Sequence, residues 1–174
     1  MPSSVGHALT ALAFGAVVLP RCTHWRIWAA GAASAVLLDI DAVGRPIGYG
    51  DVQWLGGHRG FTHSIVFGLG LSTVMLAMNR RWEGRFPTGL RLFMFFAVST
   101  IAHALLDMVT TYGQGVALFA PFSWARIKSH WQPLHGIWPE ITAIWIPSML
   151  IIGLRGLRAS RQQSARGASK DLLA

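Results

Sequence analysis

Leu90-Arg91-Leu92-Phe93-Met94-Phe95-Phe96-Ala97-Val98-Ser99-Thr100-Ile101-Ala102-His103-Ala104-Leu105-Leu106-Asp107-Met108-Val109 decides the fold of this chain. The run is apolar apart from a cation near its start and an imidazole and a carboxylate near its end. At about 1.5 Å of rise per residue, roughly 20 residues of helix match the hydrocarbon thickness of a bilayer. His103 and Asp107 are four apart, so that helix stacks them on one face. An Asp deep in a membrane helix costs about 2.5–3.5 kcal/mol on insertion scales, so polar groups retained together at one end imply a shared role.

Four more apolar runs surround this one, at residues 5–19, 25–38, 62–78 and 137–154. The composition agrees: 52% of residues are hydrophobic and 13% are charged, where a soluble domain carries about 25% charged residues. The pattern predicts an all-α, polytopic membrane helix bundle with about five short transmembrane or membrane-embedded helices. The embedded domain covers residues 1–154, and a basic, mobile cytoplasmic tail covers 155–174. The first two runs are short for a bilayer span, so they either cross a thinned bilayer or lie partly inside the bundle. Residues 1–6 hold no basic residue, unlike the start of a secretory signal, and the first run reads as a retained helix. A single cysteine, Cys22, excludes an internal disulfide and a thiolate metal site.

The formal charge is +8, but its distribution argues against nucleic acid. Arg21, Arg26, Arg80, Arg81, Arg85, Arg91, Arg155, Arg158, Arg161, Arg166 and Lys170 fall on one side of a five-span topology, and only Arg45, Arg59, Arg126 and Lys128 on the other. The positive-inside rule then puts the tail in the cytoplasm and the N-terminus outside. Nucleic-acid binding is not expected.

The same topology sorts the potential metal ligands to the outer side. His7 lies in the first helix, and Asp39 and Asp41 close the second. His58-Arg59-Gly60-Phe61-Thr62-His63-Ser64 precedes the third, and His103 and Asp107 end the fourth. His130, His135 and Glu140 fall in the long fourth connection or at the start of the fifth helix, either as further ligands or as plain surface residues. Basic residues and ligand candidates thus segregate to opposite faces. Asp39 and Asp41, two apart, point nearly opposite ways on a regular helix, but a helix end that unwinds can turn both towards one site. Nitrogen and oxygen donors without thiolate suit Zn2+ first, and Mn2+ or Fe2+ as well. Each element also has a plainer reading. Asp39 can cap its helix, Thr62 can be the N-cap of the third helix, and His103 with Asp107 can be a helix-stabilising pair. Arg59 either stabilises an anion developing on a phosphoryl or acyl group or contacts a phosphate headgroup. Ser64 has no free helper base and is a poor nucleophile candidate. His24, on the other side, reads as interfacial. Aromatics at Phe119, Phe122, Trp124 and Trp131 suggest that the fourth connection packs on the membrane surface.

At these motifs, with Gly6-His7, Leu37-Leu38-Asp39-Ile40-Asp41, Thr110-Thr111-Tyr112-Gly113 and Ala120-Pro121-Phe122-Ser123, the chain resembles the YdjM-type bacterial inner-membrane proteins over roughly residues 5–140. That family is described as membrane-bound, metal-dependent hydrolases, carries a LexA-binding label, and is distantly similar to zinc phospholipase C. The resemblance implies that His7, Asp39, Asp41, His58, His63, His103 and Asp107 form the metal site. The family's usual proline before the first Asp is Leu38 here. Together the readings predict a metal-dependent hydrolase of the inner membrane, with its site facing outside. It would act on a phosphoester in a lipid or lipid-linked amphiphile, with membrane lipid as partner and Asp41, Arg59 and Asp107 as catalytic groups. The alternative is a non-catalytic metal-binding or transport protein.

Overall fold

Runs of alanine, leucine and phenylalanine wind into five helices in the computed structural model, which describes residues 3–19, 24–45, 48–80, 89–110 and 113–171. α1 is Ser4–Val18, α2 is Trp25–Val36, α3 is Ile65–Arg80 and α4 is Gly89–Met108. α5 starts as Ile137–Glu140, passes through a π-helical turn at Ile141–Trp145 and continues as Ile146–Asp171. Pro147 accounts for the π turn: it has no N–H for the carbonyl four residues back and its ring clashes there, and the wider turn absorbs both. Among the described residues there is no strand, only isolated bridges pairing Thr110 with Leu134 and Val116 with Ile127.

The chain is therefore all-α, as its sequence predicts. Gly89–Met108 and the part of α5 at Ile137–Gln162 are long and apolar enough to cross a membrane, while Ser4–Val18 and Ile65–Met78 are apolar but shorter. α5 does not end near residue 154. Residues 155–171, expected as a mobile tail, continue it as helix, in keeping with the high helix propensity of Arg, Gln and Ala. Pro20, Arg21, Cys22, Pro46, Arg81, Glu83, Arg85, Thr111 and Tyr112 lie outside the described residues, as do the side chains of Arg80, Arg166 and Lys170.

α4 occupies the centre, packed on α1, α2 and α3, and α1 also packs on α5. The apolar core gathers Leu92, Phe95 and Phe96 of α4 with Ile27 of α2 and Leu19, all buried. Phe95 fits because its neighbours lack side chains: a Cβ at Gly31 would overlap its ring, and one at Gly15 would come within 2.7 Å of it. Small residues at helix crossings are the usual means of close approach in membrane bundles. Buried hydroxyls satisfy themselves locally. Ser99 donates to the Phe95 carbonyl at 2.7 Å and Ser34 to that of Gly31 at 2.8 Å. Apolar packing fills one end of the bundle, and polar groups fill the other.

The connection 113–136 folds over the polar end. The Ala117 N–H donates to the Arg59 carbonyl (2.9 Å), and the Ile65 N–H, at the start of α3, donates to Leu118 (3.0 Å). Arg126 ties this connection to the loop before α3, donating to the carbonyls of Gly56 (2.8 Å), His58 (3.0 Å) and Gly115 (3.2 Å). Phe119, Phe122, Trp124 and Trp131 are exposed, and Tyr49, Trp54 and Trp138 are too. An ordered loop carrying exposed aromatics is what the sequence suggests.

Candidate metal centre

The site begins where α2 loses its α-helical winding. Leu37–Ala42 is a 3-10 helix, and Leu38 is buried. Tighter winding changes where the two aspartates point. Residues two apart lie about 160° apart around an α-helix but about 120° apart at three residues per turn. Asp39 and Asp41 thereby reach the two nitrogens of one imidazole. Asp39 Oδ1 is 3.6 Å from His63 Nε2, and Asp41 Oδ2 is 3.3 Å from His63 Nδ1.

His63 is carried by a second 3-10 turn, Phe61–His63, after a compact loop. A Cβ at Gly60 would lie 2.8 Å from the Gly57 carbonyl oxygen and closer still to that of Leu55, so only glycine fits there. Arg59 takes a left-handed φ of 64°, a strained conformation for a side-chain-bearing residue. That backbone turns its N–H onto Asp41 Oδ2 at 3.1 Å. Thr62 donates its hydroxyl to the same oxygen. Its role is therefore in the site, and Ser64 is the residue that caps α3, accepting from the Phe67 N–H at 3.1 Å.

α4 supplies the other half from one face, as the four-residue spacing predicts. His103 Nδ1 lies 2.6 Å from the Ala35 carbonyl. A carbonyl only accepts, so Nδ1 carries the hydrogen and Nε2 keeps its lone pair. The same logic puts a hydrogen on His63 Nδ1. Thr62 has given its proton to Asp41, so it accepts from His63 Nδ1 at 3.0 Å, and His63 Nε2 faces the cluster. Burial pushes the His63 imidazole down, but Asp107, Asp39 and Asp41 outweigh it and raise it to about 10, so a metal there would displace the Nε2 proton. The two Nε2 atoms stand 3.2 Å apart. Two bare lone pairs at that distance would repel, so either the His63 proton lies between them as a hydrogen bond or a metal cation bound to both takes its place.

Asp39, His63, His103 and Asp107 offer atoms all within 4.8 Å of one another. Besides the 3.2 Å nitrogen pair, Asp39 Oδ1 is 3.4 Å from His103 Nε2, and Asp107 Oδ2 is 3.5 Å from His63 Nε2 and 3.9 Å from His103 Nε2. A tetrahedron with metal–ligand bonds of about 2.0–2.2 Å has edges of about 3.3–3.6 Å. The charges fit as well. Asp39, Asp41 and Asp107 carry three negative charges, and the Arg59 guanidinium, with Nε 2.8 Å from Asp107 Oδ2, offsets one. Two remain uncompensated with neutral imidazoles, the complement of one divalent ion.

Not all seven proposed ligands enter this set. Asp41 sits behind His63, its oxygens taken by His58 Nδ1 (2.8 Å), the Arg59 N–H, Thr62 and His63 Nδ1. It forms a second cluster with His58 and His63. His7 stacks on His103 with ring centres 3.5 Å apart, and its Nε2 lies 3.6 Å from Asp107 Oδ1. His7 is buried, and neither ring nitrogen has a hydrogen-bond partner; His58 Nε2 likewise has none. Asp39, with 20% of its side chain exposed, is the member of the four that meets solvent.

Glu140 is buried but belongs elsewhere. It accepts from the Ser3 N–H (2.8 Å), the Ser3 hydroxyl (2.5 Å) and Trp145 Nε1 (3.0 Å), clasping the start of α1 to α5. That clasp holds His7 in place, a role the sequence does not announce. His24, His130 and His135 are exposed and outside both clusters.

Burial pushes the Asp39 carboxyl up, but its contacts with the His103 and His63 imidazoles, which hold a proton facing it in the metal-free protein, outweigh this and keep the group below the ordinary carboxylate range. For Asp41, too, burial acts upward and is overcome by hydrogen bonds from His58, His63 and Thr62. Both stay ionised at neutral pH, as a cation site requires.

The family of YdjM inner membrane proteins matches over residues 1–169. The chain is also 35% identical over 173 residues to the inner membrane protein YbcI of Escherichia coli (strain K12), a match covering 88% of this chain and 96% of that protein. No solved structure matches. The chain belongs to the YdjM inner membrane protein family.

Proposed function

We propose that this member of the YdjM inner membrane protein family is a multi-pass, zinc-dependent hydrolase that opens at the outer membrane–water interface. Its substrate is a phosphoester in a lipid or lipid-linked amphiphile. The observation that carries this reading is the four-atom set of Asp39, His63, His103 and Asp107, at distances close to tetrahedral edges, with Asp39 facing solvent. A purely structural zinc site is closed on all sides, and a transport site normally lies near the bilayer midplane. Here the ligands cluster beyond the end of α2 and in the last two turns of α4.

Zinc bound there would lower the pKa of a coordinated water and polarise the scissile phosphoryl group. The chain's own groups supply the rest. Asp41 is fully engaged, so it positions: it fixes the tautomer and ring plane of His63, as carboxylates behind metal-bound histidines commonly do. His58 is held through Nδ1 by Asp41, and its ring meets His63 edge-on at 5.4 Å. Its free Nε2 makes it the group placed to carry a proton to or from the substrate. Arg59 holds Asp107 and lines the adjoining groove, where a cation stabilises charge growing on a phosphoryl oxygen.

Purified protein in detergent tests this directly. Stoichiometric zinc by elemental analysis is expected, with hydrolysis of a chromogenic phosphomonoester or phosphodiester that His103→Ala abolishes. Metal-free protein with intact helicity would sink the proposal; bound metal without hydrolysis of phosphoester or lipid substrates would favour a non-catalytic metal protein. Orientation has its own test: a reporter fused after Ala174 should read cytoplasmic, and a periplasmic signal would reverse the sidedness.

A further inference from the structure

Beside the ligand cluster lies a groove of about 310 Å³, lined by Arg45, Arg59, Arg126, His58, Asp51 and the backbone of the 56–57 and 113–114 turns. Three guanidiniums line it: Arg59 is offset by Asp107 and Arg45 by Asp51, while Arg126 bonds neutral carbonyls and keeps its charge, so the groove is net positive. Their anchoring differs. Arg59 is buried and bound to Asp107, and Arg126 is committed to loop carbonyls. Arg45 stands at the rim with its side chain 48% exposed, and it presents its fork to Asp51: Nε donates to Oδ1, and Nη2 to Oδ2 at 2.9 Å. A bidentate guanidinium–carboxylate pair has the geometry of a guanidinium–phosphate pair.

We propose that this groove is a binding subsite for a phosphoryl oxyanion, and that Asp51 occupies the Arg45 fork until the anion displaces it. The subsite deepens the hydrolase reading and rests on it for the identity of the substrate. His58 and Arg59 line the groove while touching the ligand cluster, so an anion held there has its phosphorus next to the centre. Arg45 and Arg126 become specificity determinants. Asp51 sets a threshold: a dianionic phosphate competes with a carboxylate for the fork better than a neutral or singly charged group does. Carboxylate and phosphate exchange on one guanidinium, and the remaining groove charge favours the ligand with more negative charge.

Calorimetric titration of the purified full-length protein in neutral detergent tests the assignment with two probes, inorganic phosphate and a soluble short-chain phosphatidic acid. Arg45→Gln should weaken phosphate binding by about tenfold, the size expected for losing hydrogen bonds to a charged group. Asp51→Asn should tighten it several-fold by freeing the fork. The opposite signs separate this from general damage, since the two residues pair with each other at the rim. Tighter binding of the short-chain lipid marks a headgroup as the natural source, and binding of phosphate alone marks a free phosphoryl group; both support the subsite. No binding of either probe, or identical affinity in wild type and both variants, overturns it. Metal content measured on the same samples keeps the two readings apart: the opposite-sign pattern in metal-free protein would retain the subsite and sink the hydrolase.

Discussion

Asp41→Asn separates a ligand from a residue that holds a ligand. The two side chains are nearly isosteric, so the buried position is refilled without a cavity. What changes is one formal charge and one acceptor, at a residue whose two oxygens receive four donors: His58 Nδ1, the Arg59 N–H, the Thr62 hydroxyl and His63 Nδ1. The amide oxygen can take over towards Arg59, Thr62 and His63, and its NH2 group then meets His58. His58 answers by shifting its proton to Nε2, so no donor is left facing a donor. The remaining loss is the charge that makes His63 Nε2 a stronger donor, and outer-shell substitutions of this kind lower metal affinity by about 10–100-fold. At about 1.4 kcal/mol per tenfold, that is roughly 1.4–2.8 kcal/mol. Zinc affinity should be measured by competition with a chromophoric chelator in detergent, with helicity followed in parallel. An affinity within twofold of wild type would refute the positioning role. A loss as complete as that of His103→Ala would show that Asp41 binds the metal itself.

Three further outcomes follow from the packing and charges. Gly31→Val drives a branched side chain into the Phe95 ring, and overpacking of this kind destabilises by about 1–3 kcal/mol; thermal unfolding in detergent should show the loss, with metal stoichiometry kept in the protein that remains folded. Glu140→Ala strips the acceptor from Ser3 and Trp145 and should destabilise by about 1–3 kcal/mol, the usual result of leaving buried donors unpaired. Since the clasp sets α1, and with it His7, metal affinity should fall as well. Acidification should weaken metal binding as protons compete with the metal for the imidazole nitrogens. The carboxylates titrate later: Asp39 and Asp41 are held below the ordinary range. Their contribution to stability is therefore complete above about pH 4 and is lost only as pH falls towards their depressed values. A metal affinity that does not fall between about pH 7 and pH 5 would contradict imidazole ligation.

The sequence carried the large features because membrane helices are written in composition. Runs of apolar residues predict all five helices, and the spacing of His103 and Asp107 predicts their common face. It is less informative about lengths, since among the described residues only α4 and α5 are long and apolar enough to cross by themselves. The helical continuation past residue 154 is not legible either, because a polar, arginine-rich segment reads as tail whether or not it is helical. In the site, residue types were legible but their ranks were not. Asp39 and Asp41 look equivalent in the sequence, and only the tighter winding of residues 37–42 makes one face Nε2 and the other Nδ1 of the same ring. Ala35 is invisible for a different reason: it acts through a carbonyl that every residue possesses. The Arg45–Asp51 pair and the Arg126 contacts needed the loop's folded path.

The two aspartates grip one imidazole from opposite edges, with Ile40 between them turned outward and 48% exposed. The spacer is therefore free in identity and fixed in number. Side chains of many kinds fit at position 40, but one residue more or fewer would rotate Asp41 by about a third of a turn in a 3-10 helix and leave His63 held on one edge alone. In descendants of this chain, substitutions should accumulate at position 40 while insertions and deletions between the aspartates are purged.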